Sequence, residues 1–174
     1  MSDVNLILVR HATAEDHADS GRDADRKLSE LGRQQARALA RGAAALGIPR
    51  ADAILTSGFR RADETRQAFD WLKGEDYRDA GLSPYGRPAE AGDVVRGYVA
   101  AGQSVIWVFS HNPFLTGFLR EFAPRVLDVI GKVRKSDLVW LRWRSAGDCL
   151  HRHPDLKGFL SKPRIDQVDL GGPV

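Results

Sequence analysis

Four side chains of this 174-residue sequence could do chemistry together: Arg10, His11, Arg61 and His111. Leu6-Ile7-Leu8-Val9 is a continuous apolar run, the mark of a short buried strand, and it stops at Arg10-His11. The carboxyl end of a buried strand is where open α/β sheets bind ligands. The planar fork of arginine suits phosphate, and an imidazole can act as a nucleophile. A second run, Ser104-Val105-Ile106-Trp107-Val108-Phe109-Ser110, is rich in β-branched and aromatic residues and ends in His111-Asn112-Pro113. Pro113 then opens a helix as its first residue. Taken singly, each histidine reads equally well as a surface residue or a helix cap. A pair at equivalent ends of two buried strands points to a shared site.

The elements that position these residues follow from period and punctuation. Asp16 to Lys27 is polar without apolar period and reads as a loop across the mouth of the site, the kind of long connection that serves as a lid. Ser29 is an N-cap with Leu28 as a hydrophobic staple before it. Leu31, Ala36, Leu39, Ala40, Ala43 and Leu46 recur at helical spacing until Gly47 and Pro49 end the helix. Ala53-Ile54-Leu55-Thr56 is a second buried strand, followed by Ser57 as an N-cap candidate and a helix carrying Ala62, Thr65, Ala68, Phe69 and Leu72. Arg61 falls in the first turn of that helix, where the backbone already favours anions, and Arg60 competes with it for the same role. A short strand over residues 77–82, a turn at Ser83-Pro84-Tyr85-Gly86 and a helix over 89–101 with Val94, Val95, Tyr98 and Val99 on one face precede the second block. Leu138 to Trp143 reads as a strand, with Trp140 and Trp143 in the core. Alternating strands and helices predict an α/β fold with a mainly parallel central sheet flanked by helices.

Three blocks, Arg10-His11-Ala12, Ser57-Gly58-Phe59-Arg60-Arg61-Ala62-Asp63-Glu64-Thr65 and Ser110-His111-Asn112-Pro113, resemble the signatures of the histidine phosphatase superfamily. The short chain, the Arg-His-Ala-x-Ala-Glu form and the His-Asn-Pro-Phe-Leu run resemble its SixA-type phosphohistidine phosphatase branch. Arg26, Leu28, Ser29 and Gly32 match the family's Arg-x-Leu-Ser/Thr-x-x-Gly loop. The resemblance spans roughly residues 4 to 143. It implies a three-layer α/β/α, phosphoglycerate mutase-like fold. It favours Arg61 over Arg60, because the family's arginine directly precedes Ala-x-x-Thr. It also implies a metal-free reaction with no cofactor, in which His11 is the nucleophile and Arg10, Arg61 and His111 hold the phosphoryl oxygens. Thr13 and Asn112 are further phosphate-contact candidates.

One departure bears on the substrate. The wider superfamily supplies a glutamate acid after the third strand, where this chain reads Leu82-Ser83-Pro84-Tyr85-Gly86. SixA-type members resemble this acid-poor turn, and a phosphoramidate leaves with less help than an alkoxide. Glu90 and Asp93 are the nearest substitutes. The reading is therefore a phosphatase acting on phosphohistidine of a protein partner. Its alternatives are a phosphatase of small phosphate monoesters and a non-catalytic phosphate or phosphopeptide binder.

Composition sets the outer bounds. The length argues for one catalytic domain, residues 1–145, with a C-terminal extension, 146–174, packed on it or partly disordered. With 43% hydrophobic and 28% charged residues the chain has the balance of an ordinary globular protein. The single Cys149 precludes an internal disulfide, and the absence of a basic n-region or long apolar run predicts a cytoplasmic protein without a membrane segment. Net charge is +3, and Arg120 to Arg152 holds eight basic against four acidic residues. That excess suits anionic substrates, and no nucleic-acid motif accompanies it. Cys149, His151 and His153 fit no common zinc spacing.

Overall fold

Alternation of side chains across β1 builds the molecule in two directions. In a computed structural model, which describes residues 3–161, β1 (Val4–Arg10) sends Leu6 and Leu8 into one apolar cluster and Ile7 and Val9 into another. The first cluster is closed by α3 (Pro88–Ala100), α4 (Phe114–Phe122) and α5 (Pro124–Ile130) through Val95, Leu115, Phe118 and Val126. The second is closed by α1 (Glu30–Ala45) through Leu39 and Ala43, and by Phe69 and Leu72 just beyond α2 (Arg60–Gln67). The result is the expected three-layer α/β/α arrangement.

The sheet has six strands in the order β3-β2-β4-β1-β5-β6. The strands β2 (Ala53–Thr56), β3 (Glu75–Arg78) and β4 (Val105–Ser110) join β1 in a parallel set, while β5 (Leu138–Trp143) and β6 (Asp155–Leu160) run antiparallel. Strand β4 lies between β1 and β2. Three carboxyl ends therefore meet at one edge of the sheet.

Several elements differ locally from the sequence expectation. The expected strand at 77–82 is β3 over Glu75–Arg78, exposed at each of its four positions, followed by a 3-10 turn at Ala80–Leu82. Leu31 and Leu46 lie on the helical spacing of α1 but are 48% and 49% exposed, because they flank the end turns of the helix. Pro113 is the N-cap of α4 and Phe114 its first residue. Strand β6 had no periodic signal: Asp155-Leu156-Lys157-Gly158-Phe159-Leu160 is short, and it pairs along β5 at the sheet's edge. It lies inside the stretch assigned to the C-terminal extension, whose last residues, 162–174, fall outside the described part. Trp143 is buried and Trp140 partly so, and their indole N–H groups donate to Arg152 O at 2.7 Å and Asn5 Oδ1 at 2.9 Å. Cys149 is buried, while His151 and His153 are exposed. No helix among the described residues is long and apolar enough to cross a membrane.

Candidate active site

The register of β1 on β4 decides the centre of the site. Arg10 stands opposite Ser110, and the backbone N–H of His11 donates to the Ser110 carbonyl at 2.9 Å. The next residue on each strand is a histidine, and the two rings lie 4.9 Å apart between centroids. Both are buried, His11 at 7% exposure and His111 at 1%. The backbone around His11 is tied on several sides: Arg10 N–H to Asp137 O at 3.0 Å, Ala12 N–H to Thr65 Oγ1 at 3.0 Å, and Ser136 N–H to His11 O at 3.3 Å.

The His11 ring is oriented by its own neighbour. Its Nδ1 lies 2.7 Å from the Ala12 carbonyl oxygen, which can only accept, so Nδ1 carries the proton and Nε2 keeps a free electron pair. Burial pushes the ring down from 6.5 to about 3, and the cationic Arg61, Arg10 and Lys135 push in the same direction. Burial likewise takes His111 down to about 2, with His11, Arg61 and Arg10 adding to the effect and Asp23 opposing it. Both imidazoles are neutral at physiological pH.

The arginines flank this pair. Arg10 donates through Nη1 to Val133 O at 2.9 Å, and its charge is opposed by buried Asp137. Burial still lowers its pKa. Arg61 is 5% exposed, lies over the Phe59 ring at 4.8 Å, and gives both ends of its fork to Asp23: Nη1 to the carbonyl at 2.7 Å and Nη2 to the carboxylate at 2.9 Å. The carboxylate also takes Arg26 at 2.8 Å. The expected loop over residues 16–27 does cross to the site, through the 3-10 turn at Asp23–Asp25. Arg60, by contrast, is exposed and paired with Glu64 at 2.7 Å.

Not every candidate lies free for a ligand. The Thr13 hydroxyl donates to Gln35 at 2.9 Å. Asn112 donates to Val133 O at 2.7 Å and accepts from Thr116 N–H and Oγ1. Glu90 and Asp93 sit on the exposed face of α3, paired with Arg87 and Arg96. Ser57 does not cap α2 as its sequence position suggested. Phe59 is the N-cap, and Ser57 Oγ lies 2.6 Å from His111 Nε2. Ser57, Thr65, Gln35 and Asp137 were not legible as site residues, because each acts through a partner distant in sequence.

A pair of neutral histidines flanked by buried Arg61 and partly buried Arg10, one with a free Nε2, is equipped to accept and stabilise a phosphoryl group. Residues 6–83, which carry two of the three blocks, match the histidine phosphatase superfamily (branch 1). No protein of curated function matches the chain. Solved structures similar to this chain include one from Agrobacterium tumefaciens described as a SixA phosphohistidine phosphatase, at 24% identity, with 91% of this chain and 98% of that one covered and a TM-score of 0.76. A second, from Nakamurella and described in the same way, is 20% identical over 93% and 98% with the same TM-score. The protein histidine phosphatase SixA complexed with tungstate is 17% identical over 92% and 97%, with a TM-score of 0.74. At these identities the likeness establishes the shared fold.

Proposed function

We propose that this chain is a phosphatase that forms a phosphohistidine at His11 without a metal ion, and that its substrate is phosphohistidine on a partner protein domain. The observation that carries the reading is the His11 Nδ1 contact with the Ala12 carbonyl, which leaves Nε2 unprotonated. Nε2 attacks phosphorus in line as the P–N bond to the departing imidazole breaks. Water then attacks the same phosphorus, the bond to Nε2 breaks, and inorganic phosphate leaves. Phosphoryl transfer needs mainly positioning and charge stabilisation. Arg10, Arg61 and His111 supply these to the equatorial oxygens, with Arg61 exchanging the Asp23 carboxylate for the phosphoryl group. Asn112 adds an amide proton; for Thr13 the same role requires its hydroxyl to turn from Gln35. The Ser83–Gly86 turn carries no carboxylate, which favours a leaving group needing little protonation, since a positioned acid is typically worth about a hundredfold or more.

The test is to react the protein with a phosphohistidine-bearing protein and with phosphate esters of graded leaving-group basicity, then quench in alkali and look for phosphate on His11. Expected are a phosphohistidine at His11, none in His11→Ala, turnover insensitive to chelator, and a rate that falls steeply as the ester's leaving group becomes more basic. A flat leaving-group dependence would favour a monoesterase. Absence of turnover on every substrate would favour a phosphate-binding module.

A further inference from the structure

We propose that Ser57 is a positioning residue for the second histidine: its hydroxyl holds the His111 ring through Nε2 and leaves Nδ1–H as the ring's free donor for a phosphoryl oxygen. This deepens the phosphatase reading and rests on it for the role of the oxygen.

The geometry comes from adjacent strands. Thr56 of β2 pairs with Phe109 of β4, and the Ser57 N–H donates to the Phe109 carbonyl at 3.3 Å. Ser57 and His111 therefore emerge from the sheet side by side, and the 2.6 Å contact between Oγ and Nε2 is buried on both sides, at 5% and 1% exposure. The Phe59 ring packs edge-on against the imidazole at 4.9 Å, which restricts rotation further. His111 Nδ1 is buried and, among the described residues, has no hydrogen-bond partner.

Counting donors selects the tautomer. The Phe59 N–H approaches Ser57 Oγ at 3.4 Å and uses the oxygen as acceptor. If His111 Nε2–H also donated to Oγ, the serine proton would lack an acceptor and Nδ1 would lack a donor, leaving two buried polar groups unsatisfied. If Ser57 O–H donates to Nε2, only Nδ1–H remains unsatisfied. Each unsatisfied buried group costs about 1–3 kcal/mol, so the second arrangement prevails. The groups facing this ring are His11 and Arg10 from β1 and its end, Arg61 from α2 and Asp23 from the crossing loop. Burial first, and then the three basic groups among these four, keep the second proton off the ring, so an anion is received by a neutral N–H donor.

The experiment reads both the ring and the reaction. Nitrogen-detected NMR of the His111 side chain in the free protein should show Nδ1 protonated and Nε2 bare. Ser57→Ala should mix the two tautomers and lower kcat on p-nitrophenyl phosphate at least tenfold with a smaller change in KM. Ser57→Thr, which keeps the hydroxyl, should restore the single tautomer and most of the rate. A wild-type ring protonated on Nε2, or a Ser57→Ala variant with unchanged nitrogen shifts and a rate within twofold of wild type, would overturn the assignment. The NMR result stands apart from turnover. A wild-type protein with the expected tautomer but no phosphatase activity would keep the Ser57–His111 arrangement and overturn the phosphatase reading.

Discussion

Proton placement on two imidazoles governs the site at the scale of single residues. Both rings are driven below 6.5 by burial, and the unfolded chain exposes them at their ordinary value. As pH falls below about 6.5 the unfolded state therefore takes up protons that the folded state refuses, and stability is lost; above 6.5 the contribution is fully present. Each ring adds a slope of about 1.4 kcal/mol per pH unit in that window. Denaturant titrations between pH 7.5 and 4.5 should show this decline, and His111→Gln should remove about half of the histidine-dependent slope. Equal slopes in the two proteins would contradict the neutral-ring assignment. The arginines separate just as clearly. Arg61→Ala should cost about two to three orders of magnitude in turnover, the scale of losing a transition-state donor, and Arg60→Ala far less. Arg61 is enclosed beside the histidines, whereas Arg60 faces solvent with Glu64.

Two elements carry the residues into place, and both can be tested by small substitutions. The N-terminus of α1 grips the segment after His11: the Ser29 N–H and hydroxyl both donate to the Thr13 carbonyl, at 3.0 and 3.2 Å. Gly32 faces the same carbonyl, and a Cβ there would lie 1.8 Å from its oxygen. Alanine normally strengthens a helix interior by about 1 kcal/mol. Here the overlap reverses the sign, so Gly32→Ala should lose about 1–3 kcal/mol of stability and, by displacing the His11 segment, at least tenfold in turnover. Gly97→Ala in α3 has open space around the added methyl and should stabilise slightly, which makes it the matched control in thermal melts. The crossing loop is the second element. Its Asp23 occupies the Arg61 fork, and a phosphoryl group must displace it. Asp23→Asn should lower the inhibition constant of inorganic phosphate about three- to tenfold, as measured by competition against a chromogenic ester.

Across the whole molecule, the site is held by a sheet packed on both faces, so distant core changes reach it through stability. Phe69 is fully buried and packs edge-on against Trp107 and Phe109 at 5.6 and 5.3 Å, in the layer directly behind the strand that ends in His111. Phe69→Ala should cost about 3–5 kcal/mol, read as a lowered denaturation midpoint with a lesser effect on kcat of the folded fraction. At an edge of the sheet, β6 extends the antiparallel side, and Leu160 on it, itself partly buried, packs against the second cluster and approaches α1 at Gly42.

Local signals alone determined the apolar runs of the three parallel strands β1, β2 and β4, the Ser29 cap, the placement of His11 and His111 at strand ends and the register that puts Arg61 in the first turn of α2. Those features are written in contiguous residues, where period, capping chemistry and motif spacing act. The edge strand β6 and the exposed β3 were illegible or misplaced for the converse reason: an edge strand is stabilised by its neighbour's hydrogen bonds, not by its own apolar pattern. The tertiary structure alone decided that β4 inserts between β1 and β2, and hence that Ser57 meets His111 instead of capping a helix. It also decided that Asp23 lies in the Arg61 fork. The proton position on His111 and the occupancy of the arginine fork depend on contacts between residues 38 to 54 positions apart, and a linear sequence specifies neither until the sheet has assembled.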